Sequence, residues 1–315
     1  MSKRRVVYED PVPLGKKLRR SIPVYLGISP YYLLYIGFSA LPVAFTAWLA
    51  FQRWDGFAVG EAQFVGLDNF KYLIHDKVFW HAVSNTFILW FMSTVPTLVL
   101  AMIVALMLNA SIRYSTTFKV MYFLPNITSI VAMGVLFGSI FSSRFGMLNG
   151  LIHLFGIDPI PWMQTEWGTK IAISALSVWA WVGYNSLIYL AGLQAVPGEL
   201  YEAGKLDGAG TWQQFRYITL PNIQPIILFT IIMSTIGGMQ SFTEAQVMTS
   251  GNSTNSLSAG GVGQSGLTMV LYFWAVAFKD NNYGYGAAIA WGVFIIVMLF
   301  TIINWRLTKR GDQNS

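Results

Sequence analysis

The chain has no cysteine among its 315 residues. That removes disulfides, thiolate metal sites and cysteine nucleophiles together. Charge is scarce too: Asp, Glu, Lys and Arg make up 11% of the sequence, against about 25% in a soluble domain. With 54% hydrophobic residues, most of the surface must face something other than water, and that medium is lipid. The three histidines, His75, His81 and His153, lack metal-ligand spacing and are expected at the surface. No phosphate-binding lysine loop is present, because Gly15-Lys16-Lys17 and Gly204-Lys205-Leu206 lack both the glycine spacing and the Ser or Thr. A zinc-protease helix and a Ser/His/Asp elbow are equally missing from the sequence. No catalytic residue and no bound cofactor are therefore expected on this chain.

What is abundant is uninterrupted apolar sequence. Six segments reach the roughly 20 charge-free residues that a bilayer demands: 30–51 (with Pro42), 82–108 (with Pro96), 120–141 (with Pro125), 171–193, 225–248 and 286–305. They lack the alternation of barrel strands, so each is predicted as a helix and the three prolines as packing kinks. The fold class is all-α, a polytopic membrane protein of six transmembrane helices. The first apolar run follows a basic segment but far exceeds a signal-peptide core of 7–15 residues, so it is expected to be a retained span.

Basic residues orient the chain. With the N-terminus inside, the inner segments hold Lys3, Arg4, Arg5, Lys16, Lys17, Arg19, Arg20, Arg113, Lys119, Lys205, Arg216, Arg306, Lys309 and Arg310. The outer segments hold only Arg53, Lys71, Lys77, Arg144, Lys170 and Lys279. The net charge of +6 thus reads as membrane topology, and no nucleic-acid partner is expected. The division is a basic cytoplasmic segment 1–29, a membrane domain 30–306 and a cytoplasmic tail 307–315, in the inner (plasma) membrane. Outer loops 52–80 and 142–170 carry Trp54, Trp80, Trp162 and Trp167, which suit an interfacial aromatic belt. Segment 249–266, rich in Ser, Gly and Asn, is predicted as a mobile hydrophilic loop.

The longest inner connection, 194–224, lies between the fourth and fifth spans. Pro197-Gly198 ends a span, 199–206 can form a short helix with acid in its first turn, and Asp207-Gly208-Ala209-Gly210 is a turn signal. Thr211 is predicted to cap a second short helix, bounded by Pro221 and Pro225. Leu200, Ala203, Gly204 and Asp207 share one helical face, a stripe of mostly small residues that another protein's backbone can approach.

Glu202-Ala203-Gly204, three residues, Gly208, nine residues, Ile218, one residue and Leu220-Pro221 resemble the EAA loop of bacterial ABC importer permeases. Gly204 departs from the Ala usual there. The likeness extends over nearly the whole chain to the carbohydrate-uptake branch, in particular the first permease of the maltose and glycerol-phosphate systems. Phe64-Val65-Gly66-Leu67-Asp68-Asn69-Phe70, Phe123-Leu124-Pro125, Ala191-Gly192-Leu193-Gln194 and Tyr201-Glu202-Ala203 fit it. Phe242-Thr243-Glu244 and Thr249-Ser250-Gly251-Asn252-Ser253 depart from that branch's Phe-Asp-Glu and Thr-x-Gly-Gly-Pro.

The resemblance implies a type I importer permease fold and a set of partners. These are a second permease subunit, two ATPase subunits that carry the ATP and Mg, an extracytoplasmic solute-binding protein and a sugar-like solute. It implies that Glu202, Ala203, Gly204, Asp207, Gly208, Ile218, Leu220 and Pro221 couple the bundle to the ATPases, with Glu202 pairing an ATPase arginine. It also places Trp181, Tyr184, Ser234, Gly238 and Gln240 where the maltose-type permease lines its solute cavity. Asn185 adds an amide beside the two aromatics, the combination that sugars bind, although helix packing would use the same residues. Glu244, near the outer end of the fifth span, is either a solute-pathway contact or a carboxylate at headgroup level. Two rivals remain: a permease of the same superfamily for an amino acid, peptide or metal complex, and a transporter or membrane enzyme working alone. Ion coupling would need buried acid pairs, and the sequence offers only Glu244.

Overall fold

The computed structural model describes residues 14–57, 59–110, 115–249 and 255–312. The chain divides into two units, Met1–Leu49 and Ala50–Ser315. In the first, helix α1 (Leu14–Tyr35) passes through a π-helical turn, Ile36–Ala40, into α2 (Leu41–Leu49). Tyr25–Leu49 is long and apolar enough to cross a membrane. Helix thus begins well before the span boundary at residue 30, inside the segment read as a basic N-terminus, and it runs through Pro23, Pro30 and Pro42.

Among the described residues, the regular structure of the second unit is helical apart from a two-stranded antiparallel ribbon, β1 (Gln52–Arg53) with β2 (Gln63–Phe64). It continues with α3 (Asp68–His75), α4 (Lys77–Asn109), α5 (Ser115–Ile127), α6 (Ile130–Ile140), α7 (Met147–His153) and α8 (Glu166–Gln194). Then come α9 (Gly198–Leu206), α10 (Thr211–Gln214), α11 (Leu220–Met239), α12 (Thr243–Thr249), α13 (Met269–Trp274) and α14 (Tyr283–Asp312). Helices α4 and α8 start on side-chain caps. Asp76 accepts the Val78 N–H at 2.9 Å and Thr165 the Gly168 N–H at 3.1 Å, satisfying donors that a helix end leaves open.

Lipid tails are as apolar as leucine, so helices associate in them by close packing at small residues. The central pair, α4 and α8, follows that rule. Ala101 and Ala105 of α4 are wholly buried against Tyr189, Leu190 and Leu193 of α8 and Ile223 of α11. On α8, a methyl added at Gly183 would strike the Tyr122 carbonyl of α5, and one at Gly192 would strike Ile226 of α11. The opposite face of α4 exposes Phe91, Val95, Val99, Ile103 and Met107 at four-residue spacing, an apolar stripe of the kind that faces a membrane.

Among the described residues, five helices are long and apolar enough to span, six if a bent pair counts as one. The structure departs from the sequence reading at several places. The third predicted span, 120–141, is broken between α5 and α6, which meet at 94°. Pro125 withholds an N–H near the end of α5, Ser129 is extended, and the Thr128 hydroxyl bonds back to the Leu124 carbonyl at 2.9 Å. Beyond the bend, α6 packs on α12, where Gly134 leaves room for Val247. The fifth predicted span, 225–248, stops at Met239, and Gln240–Phe242 separates it from α12.

The described part of the predicted mobile loop, 255–266, is packed rather than loose. Ser256, Ala259 and Ser265 are buried, and Asn85 of α4 donates to the Gln264 carbonyl at 2.8 Å. Residues 250–254 lie outside the described residues. Trp162 is not a free interfacial ring, since its indole N–H donates to Asn149 at 2.9 Å, and Asn149 also bonds both ways with Ile160. His75 and His153 are exposed, whereas the Nε2 of His81, next to the wholly buried Ala82, is buried.

Glu244 is also not the only inward acid. Asp76, which reads as an outer-loop residue, is buried, and the Tyr272 hydroxyl donates to it at 2.5 Å while the Tyr285 hydroxyl donates to the same oxygen. The two tyrosines come from α13 and α14, so one carboxylate fastens three separate parts of the chain.

Candidate functional site: a polar cleft and an exposed hairpin

A cleft of about 580 Å³ opens between α4, α8 and α11 and is closed at one end by the first turn of α12. On α8, Ser177, Trp181, Tyr184, Asn185 and Ile188 line it, the spacing of a single helical face. Across from them α11 presents Phe229, Met233, Ser234, Gly237 and Gly238, and α4 presents Ser93, Thr94 and Thr97. All seven residues singled out in the sequence as a solute pathway (Trp181, Tyr184, Asn185, Ser234, Gly238, Gln240 and Glu244) stand around this one cleft.

They do different things there. Trp181 and Tyr184 are each more than 40% exposed and lie edge to face, with ring centroids 5.9 Å apart. Aromatic area open to a polar cleft suits the apolar faces of a ring with hydroxyls at its edge. Asn185 is buried, its amide donating to the Trp181 carbonyl at 3.0 Å and its oxygen accepting from Ser234 at 3.5 Å. It holds α8 to α11 rather than reaching out. Gly238 serves packing, since a methyl there would come within 2.7 Å of Trp90 and 3.2 Å of the Thr94 hydroxyl. Nothing stands near Gly237, whose backbone is open to the cleft. Below, a buried Thr230 hydroxyl donates to Tyr189 at 2.8 Å and ties the same two helices.

Glu244 sits where the chain restarts after its break. One oxygen accepts from the Trp181 indole at 3.5 Å and the other from Ser241 at 3.4 Å. Ser241 is fixed in turn by Thr268, which donates to its carbonyl at 2.7 Å. Sequence reasoning missed Ser93, Thr94, Thr97, Ser177, Gly237 and Ser241. Hydroxyls recurring in otherwise apolar spans were the available signal, because polar groups in such helices turn inward. A larger groove, about 830 Å³, lies between α4, α5 and α8, but its walls are almost all Met, Leu, Val, Ile, Ala and aromatic side chains. That lining suits lipid tails or another helix, not a hydrophilic solute.

The hairpin between α8 and α11 is compact. Helix α9 ends with the Ala209 N–H on the Gly204 carbonyl at 2.8 Å and the Gly208 N–H on the Lys205 carbonyl at 3.1 Å. Gly208 is left-handed, with φ +78°. This is the Schellman closure, whose left-handed position favours glycine. Gln213 reaches back to the Gly210 N–H at 2.8 Å, so Gly210, not Thr211, precedes the first turn of α10. Pro221 and Pro225 do not end that helix. A π-helical turn, Phe215–Thr219, carries it into α11, and Thr211–Met239 forms one continuous helix of 29 residues. The Asn222 side chain donates to the Ile218 carbonyl at 2.7 Å just past Pro221.

Within the hairpin, Tyr201 meets the Thr219 hydroxyl at 2.9 Å, and a methyl at Gly204 would approach Ile218 to 2.8 Å. Gly204 therefore turns inward, out of the small-residue stripe expected on the outer face. Glu202, Ala203, Asp207 and Gly208 are exposed, as are Leu206 (89%), Trp212 (72%) and Tyr217 (74%). Large apolar side chains standing out beside an acid make a surface of the kind that protein partners use.

Residues 79–310 match the family model of the binding-protein-dependent transport system inner membrane component. The chain belongs to that family. These permease components are multi-pass inner-membrane proteins, in keeping with the apolar helices described above. The chain is 33% identical over 294 residues to the arabinooligosaccharides transport system permease protein of Halalkalibacterium halodurans, covering 92% of this chain and 89% of that one. It is 37% identical over 248 residues to the lactose transport system permease protein of Rhizobium radiobacter, covering 77% and 80%. Among solved structures, a bacterial ABC transporter involved in import of the acidic polysaccharide alginate superposes with a TM-score of 0.76 at 20% identity, covering 94% of this chain and 98% of that one. The permease thus has the type I importer permease fold.

Proposed function

We propose that this chain is the membrane-spanning permease subunit of an ATP-driven, binding-protein-dependent importer for a sugar or oligosaccharide. The observation that carries this is one helix with two ends. Thr211–Met239 starts in the exposed hairpin and finishes at the cleft where Trp181, Tyr184, Gly237 and Gln240 meet. Relatives named for arabinooligosaccharides and lactose support the solute class, as does the pairing of exposed aromatics with hydroxyls. A related fold solved with an alginate pentasaccharide-bound periplasmic protein supports delivery by an external binding protein. The basic-residue distribution supports cytoplasmic N- and C-termini.

In this reading a second permease completes the pathway, and two ATPase subunits, which carry the ATP and Mg, grip the hairpin through Glu202, Ala203, Leu206 and Trp212. Gly204, Ile218 and Leu220 shape the hairpin from within, and Gly208 and Pro221 shape it at the surface. Closure of the ATPases moves the continuous helix and opens the cleft by turns to either side. Loaded binding protein favours the outward-open state because its affinity for the two states differs.

The test is reconstitution with the neighbouring subunits in proteoliposomes. Uptake of labelled arabinotriose, lactose or maltose should require ATP and binding protein, and should fall at least tenfold in Trp181→Ala with Tyr184→Ala. Ala203→Cys should crosslink to the ATPase subunit. Transport without any ATPase, or transport of amino acids but of no sugar, would refute the reading.

A further inference from the structure

We propose that Glu244 is a charge filter, which admits uncharged, hydroxyl-rich sugars to the cleft and turns away sugars bearing carboxylates. This rests on the sugar-import reading above and narrows its substrate class. Among the described residues that line the cleft, Glu244 is the only acidic residue, and no Lys, Arg or His stands with it. Its two hydrogen bonds, to Trp181 at 3.5 Å and Ser241 at 3.4 Å, are at the outer limit of the interaction. Both oxygens therefore keep acceptor capacity toward the space in front of them while their direction is set.

A carboxylate placed this way accepts from neighbouring hydroxyls of one sugar ring, and charge-assisted bonds of that kind are about twice as strong as neutral ones. The same charge repels a uronate within several ångströms, since charges inside a cleft between packed helices are screened less than in open water. The position of the acid strengthens the case. It stands beside Trp181, one of the two rings open to the cleft, and at the restart of the chain after α11, so a solute resting on that ring meets the carboxylate. The fold itself does not dictate this preference, because the alginate importer of similar fold handles an acidic polysaccharide. Selection must come from side chains.

The experiment uses the full chain with its partner subunits in nanodiscs and omits the binding protein, so that only the cleft discriminates. The probes are α-1,4-galactobiose and α-1,4-digalacturonate, which differ only in their carboxylates, together with arabinotriose, lactose and maltose, all measured by equilibrium binding. The wild type should bind galactobiose at least about tenfold tighter than digalacturonate, or about 1.4 kcal/mol. Glu244→Gln should bring the two within about threefold, and Glu244→Lys should reverse the order. If Glu244→Gln fails to assemble, Gln240→Lys, which adds a cation on the same rim, must narrow the gap instead. An unchanged preference in the assembled variants, or equal binding of both probes by the wild type, overturns the filter and leaves sugar import standing. Binding of no neutral sugar at all by the wild type overturns the filter, while the import reading stands or falls by the uptake test above.

Discussion

Removing the Asp76 carboxylate should loosen the unit more than any other single change to a polar side chain. Asp76 is 7% exposed, and the tyrosines that bond to it are 5% and 6% exposed at Tyr272 and Tyr285. Each hydroxyl bond to a charged acceptor contributes about 1.5–3 kcal/mol, and the cap on α4 contributes about 1 kcal/mol. Asp76→Ala loses all three and leaves two buried hydroxyls unanswered, a cost of about 4 kcal/mol or more. For a chain of this size that corresponds to a fall in melting temperature of about 6 °C. The cap uses Oδ1 and both hydroxyls use Oδ2, so Asp76→Asn keeps an oxygen for the cap or for the tyrosines but not for both, and should cost about 1–3 kcal/mol. Thermal unfolding of the purified protein in detergent, run as a double-mutant cycle of Asp76→Ala with Tyr285→Phe, should show a coupling of about 1.5–3 kcal/mol. A shift below about 2 °C for Asp76→Ala, or strict additivity in the cycle, would refute the clasp as a source of stability.

Further outcomes follow from other parts of the structure. Gly208→Pro demands a φ near −65° where the chain needs +78°, so the protein should still insert, but ATP hydrolysis should persist with transport reduced at least tenfold. Glu202→Lys should give the same phenotype by reversing a charge on the exposed hairpin, and full transport by both variants would count against the coupling role. Gly183→Val should lower thermal stability by about 3 kcal/mol or more, because its side chain has to displace the Tyr122 carbonyl of α5; wild-type melting would contradict that packing. Burial, aided by Asp76, holds the Tyr272 phenol well above its ordinary range. A pKa raised by folding favours the protonated form, and its contribution is lost only as pH climbs past the unfolded value of about 10. Melting should therefore show no Tyr272-dependent change between pH 6 and 9 and a decline above 10, which Tyr272→Phe should lessen.

The spans were legible because a charge-free run of twenty residues has few physical options, and α4, α8 and α14 lie where composition puts them. The break between α5 and α6 was passed over because no charge interrupts 120–141, although Pro125 followed by Asn126, Thr128 and Ser129 is a polar, helix-breaking cluster. Helix α13 was hidden for the opposite reason: it is short, and Lys279 and Asp280 close behind it read as loop. The gathering of Trp181, Tyr184 and Glu244 around one cleft could be anticipated from aromatic and polar residues at matching depth. The inward turn of Gly204, the buried Asn185 and the Asp76 clasp could not, since each depends on a partner remote in sequence: Ile218, Ser234, and Tyr272 with Tyr285. Local pattern predicts which elements form. It does not say which atoms of distant elements will meet.

A rod with no joint also fixes an angular relationship. At about 1.5 Å and 100° per residue, Thr211–Met239 reaches roughly 40 Å, and the azimuth of Trp212 determines where Ser234 and Gly237 point. One alanine inserted after Ile227 would lengthen the rod by little but turn its far end by about 100°, swinging those residues out of the cleft while leaving the hairpin intact. Three or four inserted residues would nearly restore the phase. Torque delivered at one end of this helix thus arrives at the other as a defined rotation, and the position of the π-helical turn sets its zero.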